Sequence, residues 1–179
     1  MVIYNKQNEN LYAPNCIRTF SGKYLNVFEP DPELICIEDI AHSLSMQCRF
    51  AGHLPVFYSV GQHSKFCSDY VNNDADRLGA LMHDASETYL IDMPSPIKRN
   101  MPEYRSIEDN LMKVIAEKFG FEYPFSKNIK AIDEIALQIE WHQLMLGKKP
   151  DYDERLLVPL SPAEAKAQFL STFLTLKGF

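Results

Sequence analysis

Paired cysteine motifs, long apolar runs and long basic runs are all missing from this 179-residue sequence. Its four cysteines, Cys16, Cys36, Cys48 and Cys67, follow neither a C-x-x-C nor a zinc-finger spacing, which predicts free thiols in a reducing compartment. The first residues lack the charged and apolar regions of a signal peptide, and no apolar run reaches the ~18 residues of a membrane span. These absences predict a cytoplasmic protein that has no membrane partner.

The charge balance limits the partners further. The formal net charge is −6, from 18 basic and 24 acidic residues. Because binding to nucleic acid depends largely on basic residues that neutralise phosphates, the sequence predicts no nucleic-acid partner. A small anionic substrate is still compatible with this charge, since a few local cations and a metal ion can reverse the potential of one cleft.

Length and composition favour one ordinary globular domain over residues 1–179, with 46% hydrophobic and 23% charged residues. Residues 1–37 differ from the rest and are predicted to form an N-terminal hairpin and an extended segment. The hairpin is expected to have its strands near 17–20 and 24–27, on either side of a turn at Gly22.

Helical spacing of apolar residues dominates after residue 37. It predicts helices at about 38–49, 58–71, 75–88, 102–119, 127–146 and 161–176. Pro94 and Pro96 exclude a regular helix over residues 92–96, which are predicted to form a loop. The predicted fold class is all-α, a single helical bundle with a small N-terminal β-hairpin.

The adjacent pair His83 and Asp84 is the first candidate for chemistry. It lies in an apolar predicted helix, where an unpaired imidazole and carboxylate would be costly to bury. One divalent cation can bind both groups, whereas a solvated helix end is the alternative interpretation. Glu87 follows His83 by four residues, so a continuous helix would place it over the same face, within reach of a water on the metal.

His63 and Asp133, on two further predicted helices, complete the pattern H…HD…D. This pattern resembles the signature of the HD superfamily of metal-dependent phosphohydrolases. The run from His83 to Lys98 resembles the family segment H-D-x-x-E…D-x-P-x-P-x-K at the same spacing, and Arg49-Phe50 resembles an Arg-aromatic pair ahead of the first ligand histidine. The chain is most similar to the 5′-deoxynucleotidases and phage-type deoxynucleoside triphosphohydrolases of that superfamily.

The resemblance implies a metal site and a catalytic pair. One divalent cation, Mn, Co, Zn, Fe or Mg, would be held by two imidazoles and two carboxylates, leaving positions for water and a phosphate oxygen. These ligands are His63, His83, Asp84 and Asp133. Glu87 would orient or deprotonate the water, and Asp92 would assist proton transfer to the leaving oxygen. Surface carboxylates are the alternative for both acids.

The resemblance also implies the groups that bind substrate. Arg49 offers a bidentate fork for phosphate and Lys98 a point charge, with solvated surface cations as the alternative. Phe50 would pack on a sugar or base, although an aromatic residue there is equally typical of a core. Among the other histidines, His53 could reach a ligand from its loop, and His42 fits either a core or a site residue.

The implied function is hydrolysis of a small-molecule deoxynucleotide by a homo-oligomer. A triphosphohydrolase would release triphosphate from a dNTP, and a 5′-deoxynucleotidase would release phosphate from a dNMP. The run from Ile37 to Ser45 resembles a helix of the phage-type enzymes, which favours a dATP-type triphosphohydrolase. A triphosphate then calls for a second ion such as Mg²⁺. A non-catalytic HD module that binds nucleotide is the alternative from another class.

Overall fold

Helices make up most of the protein, whose computed structural model describes residues 13–148 and 155–179. The first twelve residues of the predicted N-terminal segment lie outside the described residues. The secondary-structure elements are β1 (Cys16–Arg18), β2 (Tyr24–Asn26), α1 (Ile37–Met46), α2 (Val60–Tyr70), α3 (Arg77–Leu81), α4 (Glu87–Leu90), α5 (Ser95–Lys98), α6 (Pro102–Phe119), α7 (Lys127–Glu140) and α8 (Pro162–Lys177).

The predicted hairpin is confirmed. β1 and β2 pair antiparallel with Ile17 opposite Leu25, and Gly22 takes a positive φ of 85° in the turn between them. Leu25 is fully buried and joins the main apolar core. The hairpin therefore covers one side of the helical bundle instead of standing apart from it.

Helix α2 lies at the centre of the bundle, where it packs against α1, α3, α7 and α8. The main core draws on β2, α1, α2, α3, α6 and α8, with Leu44, Ile115 and Phe169 fully buried. A smaller apolar cluster, which contains Cys67, Ala80 and Ile139, joins α2, α3 and α7. No helix in the described ranges has the length and apolar character that crossing a membrane requires.

Helix termini follow the expected local chemistry. Gly120 ends α6 in the left-handed region with φ 73°, and Ser161 and Glu164 form the predicted capping box at the start of α8. The predicted helix at 38–49 ends earlier, at Met46, and Arg49–Gly52 form a separate 3-10 turn. The predicted helix at 127–146 is regular to Glu140 and continues as a π-helical turn over Trp141–Met145.

The prediction of one helix over residues 75–88 is wrong. The chain forms the 3-10 turn Asp74–Asp76, then α3, then a series of tight turns over residues 82–86, and then α4. The Nδ1–H group of His83 donates to the Ala80 carbonyl at 2.7 Å. In a continuous α-helix, that carbonyl would accept a hydrogen bond from the backbone N–H of Asp84. A side chain thus competes with the backbone ladder where the helix breaks.

The prediction of a loop over residues 92–96 is wrong at its end. Ser95 and Pro96 already belong to α5, because a helix tolerates proline in its first turn, where the missing N–H has no helical partner. Residues 91–94 are irregular. The segment from 82 to 98 is therefore a succession of turns and single helical turns.

Candidate metal centre

Helix α2, helix α7 and the turn after α3 bring the four predicted metal ligands together. The Nε2 atom of His63 lies 3.2 Å from Nε2 of His83 and 3.1 Å from Oδ1 of Asp133. The Oδ2 atom of Asp84 lies 3.3 Å from Nε2 of His83 and 3.8 Å from Nε2 of His63. His83 Nε2 and Asp133 Oδ1 are 3.7 Å apart.

These separations fit ligand atoms around one small cation. Metal–nitrogen and metal–oxygen bonds of about 2.0–2.2 Å place neighbouring ligand atoms roughly 3–3.5 Å apart. The Oδ2 atom of Asp84 is buried and has no hydrogen-bond partner among the residues that the structure describes. A buried carboxylate oxygen without a partner is costly, and a cation at this point would satisfy it. The four residues therefore fit a divalent cation.

A thiol lies beside the two histidines. Three ligand atoms, one each from His63, Cys67 and His83, lie within 4.8 Å of one another, so this group could hold a metal ion. The Sγ atom of Cys67 is 3.7 Å from Nε2 of His63, and the residue is fully buried. The sequence predicts Cys67 only as a free thiol, because the cysteine spacing does not show this neighbour.

A buried carboxylate behind the donor set orients His63. Glu140 is 1% exposed, and its Oε1 accepts a hydrogen bond of 2.6 Å from Nδ1 of His63. Its Oε2 accepts one of 3.2 Å from Nε of Arg49. Burial opposes the charge of Glu140, yet His63 and Arg49 hold the pKa of its carboxyl below the ordinary value. An outer carboxylate of this kind fixes the imidazole so that Nε2 faces the other candidate ligands, as metal-binding histidines require.

His83 is fixed in the same sense by the Ala80 carbonyl. With Nδ1–H donated to that carbonyl, Nε2 is left to face the donor set. Burial disfavours the imidazolium, but the carboxylates Asp84 and Asp133 outweigh it and raise the pKa of His83 to about 10. A cation bound at this point would displace that proton, because a ligating imidazole is neutral.

Glu140 is the site residue that sequence reasoning missed. It follows Asp133 by seven residues, two turns of α7, so both lie near one face of that helix. The sequence does carry a signal for Glu140, since it is spaced by four residues from Ala136 and by eight from Ile132, on the apolar face of the helix. A charged residue on an apolar face needs a partner when it is buried. Its partners could not be found in this way, since His63 and Arg49 are 77 and 91 positions away.

Arg49, predicted to bind phosphate, is largely engaged with carboxylates. Both Nε and Nη2 lie 3.2 Å from Oε2 of Glu140, and Nη1 lies 4.0 Å from an oxygen of each of Asp84 and Asp92. Burial disfavours its charge, but these acids outweigh burial and raise the pKa of Arg49 further above its ordinary value. The guanidinium thus links the metal donors to the cavity beside them.

That cavity has a volume of about 620 Å³. All five residues predicted to act on substrate line it: Arg49, Phe50, Glu87, Asp92 and Lys98. The metal donors Asp84 and Asp133 lie in its wall, as does His53. His42 instead stacks on Phe20, with ring centroids 3.8 Å apart, and lines a different cavity beside α1. The structure therefore brings the predicted substrate residues to the metal donors.

Glu87 and Asp92 are acids in a poorly solvated wall. Glu87 is 4% exposed, and its Oε2 is buried without a hydrogen-bond partner among the described residues. Burial, together with the charges of Asp84 and Asp92, raises the pKa of Glu87 well above its ordinary value. Burial is also the main cause that raises the pKa of Asp92. The prediction that Glu87 and His83 lie on one face of a continuous helix is wrong, yet the side chain of Glu87 lines the cavity beside the candidate metal ligands.

Lys98 also lines the cavity, where its ammonium group lies beside Glu87. Its Nζ lies 3.4 Å from Oε1 of Glu87 and 2.6 Å from Oε1 of Glu108. Burial disfavours the ammonium, but Glu87 and Glu108 outweigh it and raise the pKa of Lys98 above the ordinary value. The ammonium stays charged beside the two acids.

Two curated proteins are similar to the chain along most of its length. YfdR of Escherichia coli (strain K12), described as an uncharacterized protein, is 40% identical over 166 residues, which cover 88% of this chain and 93% of YfdR. An uncharacterized protein of Rhodobacter capsulatus is 33% identical over 140 residues, 71% of each chain. No protein-family model matches the chain. With these identities and shares, the chain belongs to the family of YfdR.

Proposed function

We propose that this chain is a metal-dependent phosphohydrolase of the HD type that acts on deoxynucleotides. One observation carries the proposal: Nε2 of His63 and Nε2 of His83 lie 3.2 Å apart, and each lies 3.1–3.8 Å from an oxygen of Asp84 and of Asp133 at the wall of a cavity. The pattern of these residues in the sequence resembles the HD superfamily, and their geometry suits one divalent cation.

A cation at this point supplies a Lewis acid that acidifies water and polarises a phosphoryl group. The protein must then remove a proton from the attacking water. Glu87 is suited to that step, since its Oε2 has no donor among the described residues and can accept a hydrogen bond from water. A carboxylate whose pKa is raised by burial is also a stronger base than an exposed one.

The leaving oxygen needs a proton in return. Asp92 lines the same cavity, and burial raises the pKa of its carboxyl, so it holds a proton more readily than an exposed aspartate. Its backbone N–H donates to Oε1 of Gln47 at 3.0 Å, which fixes the residue at the start of the loop. We assign Asp92 to the transfer of a proton to the leaving group.

Arg49 and Lys98 provide the positive charge of the cavity wall. Each is already paired with a buried or half-buried acid, so each is held in place before a phosphate arrives. Phe50, Met93 and Leu137 give the wall an apolar part that suits a sugar or a base. We assign the two cations to the phosphates and Phe50 to the nucleoside.

The acidic wall supports a triphosphate that arrives with its own cation. Four carboxylates line the cavity, those of Asp84, Glu87, Asp92 and Asp133, against the cations Arg49 and Lys98. Arg49 and Lys98 cannot balance the charge of a free triphosphate beside these acids, whereas its Mg²⁺ complex carries less negative charge. We therefore favour a dNTP, of the dATP type, as substrate. The two cations alone suit one phosphate, which keeps a 5′-deoxynucleotidase as the second candidate.

A substrate panel tests the proposal. The metal-free protein is supplied with Mn²⁺, Co²⁺, Zn²⁺, Fe²⁺ or Mg²⁺ and incubated with each dNTP and each dNMP, and the products are separated by anion-exchange chromatography. We expect metal-dependent release of triphosphate from a dNTP. Release of orthophosphate from dNMPs would select the second candidate. Tight nucleotide binding without turnover under every metal would overturn hydrolysis in favour of a binding module.

A further inference from the structure

Cys67 stands on the same face of α2 as His63. The two residues are four positions apart in a regular helix, so their side chains lie one above the other. The Sγ atom faces Nε2 of His63 at 3.7 Å, and that nitrogen also faces His83 and Asp133. The sulfur thus borders the point on which the metal donors converge.

The ordinary interpretation of a buried cysteine is a small apolar residue. Cys67 does belong to the smaller apolar cluster, with neighbours such as Phe66, Val71 and Ala80. Packing alone would be satisfied by a thiol that faces only carbon atoms. This thiol instead lies within 4.8 Å of the ligand nitrogens of two histidines. None of the other described cysteines, Cys16, Cys36 and Cys48, shares that group.

The distance suits a shared metal ion. A metal–sulfur bond of about 2.3 Å and a metal–nitrogen bond of about 2.0–2.1 Å place the two atoms roughly 3.5 Å apart when the angle between the two bonds is about 110°. The observed 3.7 Å between Sγ and Nε2 of His63 is close to that value. Without a metal, the same contact is a weak S–H···N hydrogen bond, so the two interpretations differ in what the sulfur binds.

We infer that Cys67 is a metal ligand of this centre and biases it toward Zn²⁺, Co²⁺ or Fe²⁺ over Mg²⁺ and Mn²⁺. On binding, the S–H bond breaks, a sulfur–metal bond forms, and the proton leaves to solvent. Thiolates favour the softer ions, whereas carboxylates and water suit Mg²⁺ and Mn²⁺. The inference rests on the metal centre of the proposed function and does not depend on which nucleotide is hydrolysed.

Cobalt absorption tests it without an activity assay. The metal-free protein is titrated with Co²⁺, and two features are followed: the weak visible d–d bands, which report that cobalt is bound, and the intense near-ultraviolet thiolate-to-cobalt charge-transfer band, which reports a bond to sulfur. We expect both features in the parent protein. Cys67→Ser should keep the d–d bands and lose the charge-transfer band, and Cys16→Ser, altered in β1, should keep both.

Metal competition gives a second readout. Loss of even an outer partner of a metal site typically lowers affinity about 10–100-fold, so Cys67→Ser should lower the preference for Zn²⁺ over Mn²⁺ by at least about tenfold. Cys67→Ala, checked for folding by circular dichroism, repeats the test with a smaller apolar side chain. An unchanged preference in a folded variant would count against ligation by sulfur.

The outcomes separate this inference from the proposed function. Visible d–d bands in the parent protein without a charge-transfer band would overturn ligation by Cys67 and leave the centre intact. A charge-transfer band that survives in Cys67→Ser would assign it to another thiol and overturn the inference as well. If the parent protein binds no cobalt at all, the metal centre itself is wrong, and the proposed hydrolysis fails with it.

Discussion

Two regions of different construction meet at the cavity. On one side, the regular helices α2 and α7 carry His63, Asp133 and Glu140. On the other side, residues 82–98 form turns and single helical turns that carry five predicted site residues, His83, Asp84, Glu87, Asp92 and Lys98. In the helical region the backbone ladder and the apolar packing position the side chains. In residues 82–98, by contrast, side chains from neighbouring segments form hydrogen bonds to the backbone and hold it in place.

Gln47 shows how residues 82–98 are held. Its Nε2 donates to the Glu87 carbonyl and its Oε1 accepts from the Asp92 N–H, each at 3.0 Å. Ser43 donates to the Thr88 carbonyl at 3.1 Å, and Tyr104 donates to the Ile91 carbonyl at 2.8 Å. We therefore expect that catalysis can be damaged without loss of the metal, because Gln47 anchors the backbone of Glu87 and Asp92 and contacts neither His63 nor Asp133 in this way.

The largest effect is expected from a change in the helical region. Asp133→Ala removes a carboxylate oxygen that lies 3.1 Å from Nε2 of His63, so metal affinity should fall by at least about a hundredfold, the upper end of what an outer partner contributes. Hydrolysis should fall to background. Isothermal titration with Zn²⁺ measures the loss, and Glu134→Ala, at the exposed next position, is the control.

On the side of the anchored turns, Glu87→Gln keeps size and hydrogen bonding but removes the basic oxygen. We expect hydrolysis to fall by at least about a hundredfold while metal content and nucleotide affinity stay at the parent level. Elemental analysis, calorimetry and turnover on one preparation measure all three. Glu103→Gln, exposed at the start of α6, is the matched control. Turnover equal to that of the parent would refute the role of Glu87.

Glu140→Gln alters the carboxylate that lies behind His63 in the helical region. The amide can still accept a hydrogen bond but no longer balances the charge of Arg49 or orients His63 as strongly. Metal affinity should fall about 10–100-fold, because outer carboxylates of metal-binding histidines contribute that much. Competition with a chelator measures it, with Glu134→Gln on the exposed face as control. Parent-like affinity would show that Glu140 only neutralises Arg49.

The smallest effect is expected from Gln47→Ala. The change leaves the Glu87 carbonyl and the Asp92 N–H without their side-chain partner, at a cost of about 1–3 kcal/mol. Turnover should fall by about tenfold, which corresponds to 1.4 kcal/mol, with metal content unchanged. Hydrogen exchange should become faster in residues 87–92, and Gln138→Ala on α7 is the control. Lost metal with unchanged exchange would reverse the proposed division between the two regions.

The sequence predicts the helical region better than the turns. Serine caps and glycine stops are local signals, so the bounds of α6 and α8 are close to those expected. The break at residues 82–86 is not visible in the pattern, because a spacing of four between His83 and Glu87 suits a helix and a series of tight turns alike. At the break, His83 donates a hydrogen bond to the Ala80 carbonyl, a contact that only the structure shows.

The candidate site divides in the same way. The four candidate metal ligands follow from the resemblance to a known superfamily, and the structure brings them together. The pairing of Glu140 with His63 and Arg49, and the approach of Cys67 to His63, depend on contacts between helices or on the direction of one helix face. A single sequence does not show how distant helices are aligned against each other, so only the structure reveals these contacts.

Anomalous diffraction tests the metal centre most directly. Crystals grown with Zn²⁺ or Co²⁺ and no nucleotide are measured above and below the absorption edge of the metal. We predict one strong anomalous peak per chain, with Nε2 of His63, Nε2 of His83 and carboxylate oxygens of Asp84 and Asp133 at roughly 2.0–2.3 Å. A metal bound elsewhere on the chain, or a metal-soaked crystal with no peak between these four residues, would contradict the proposal.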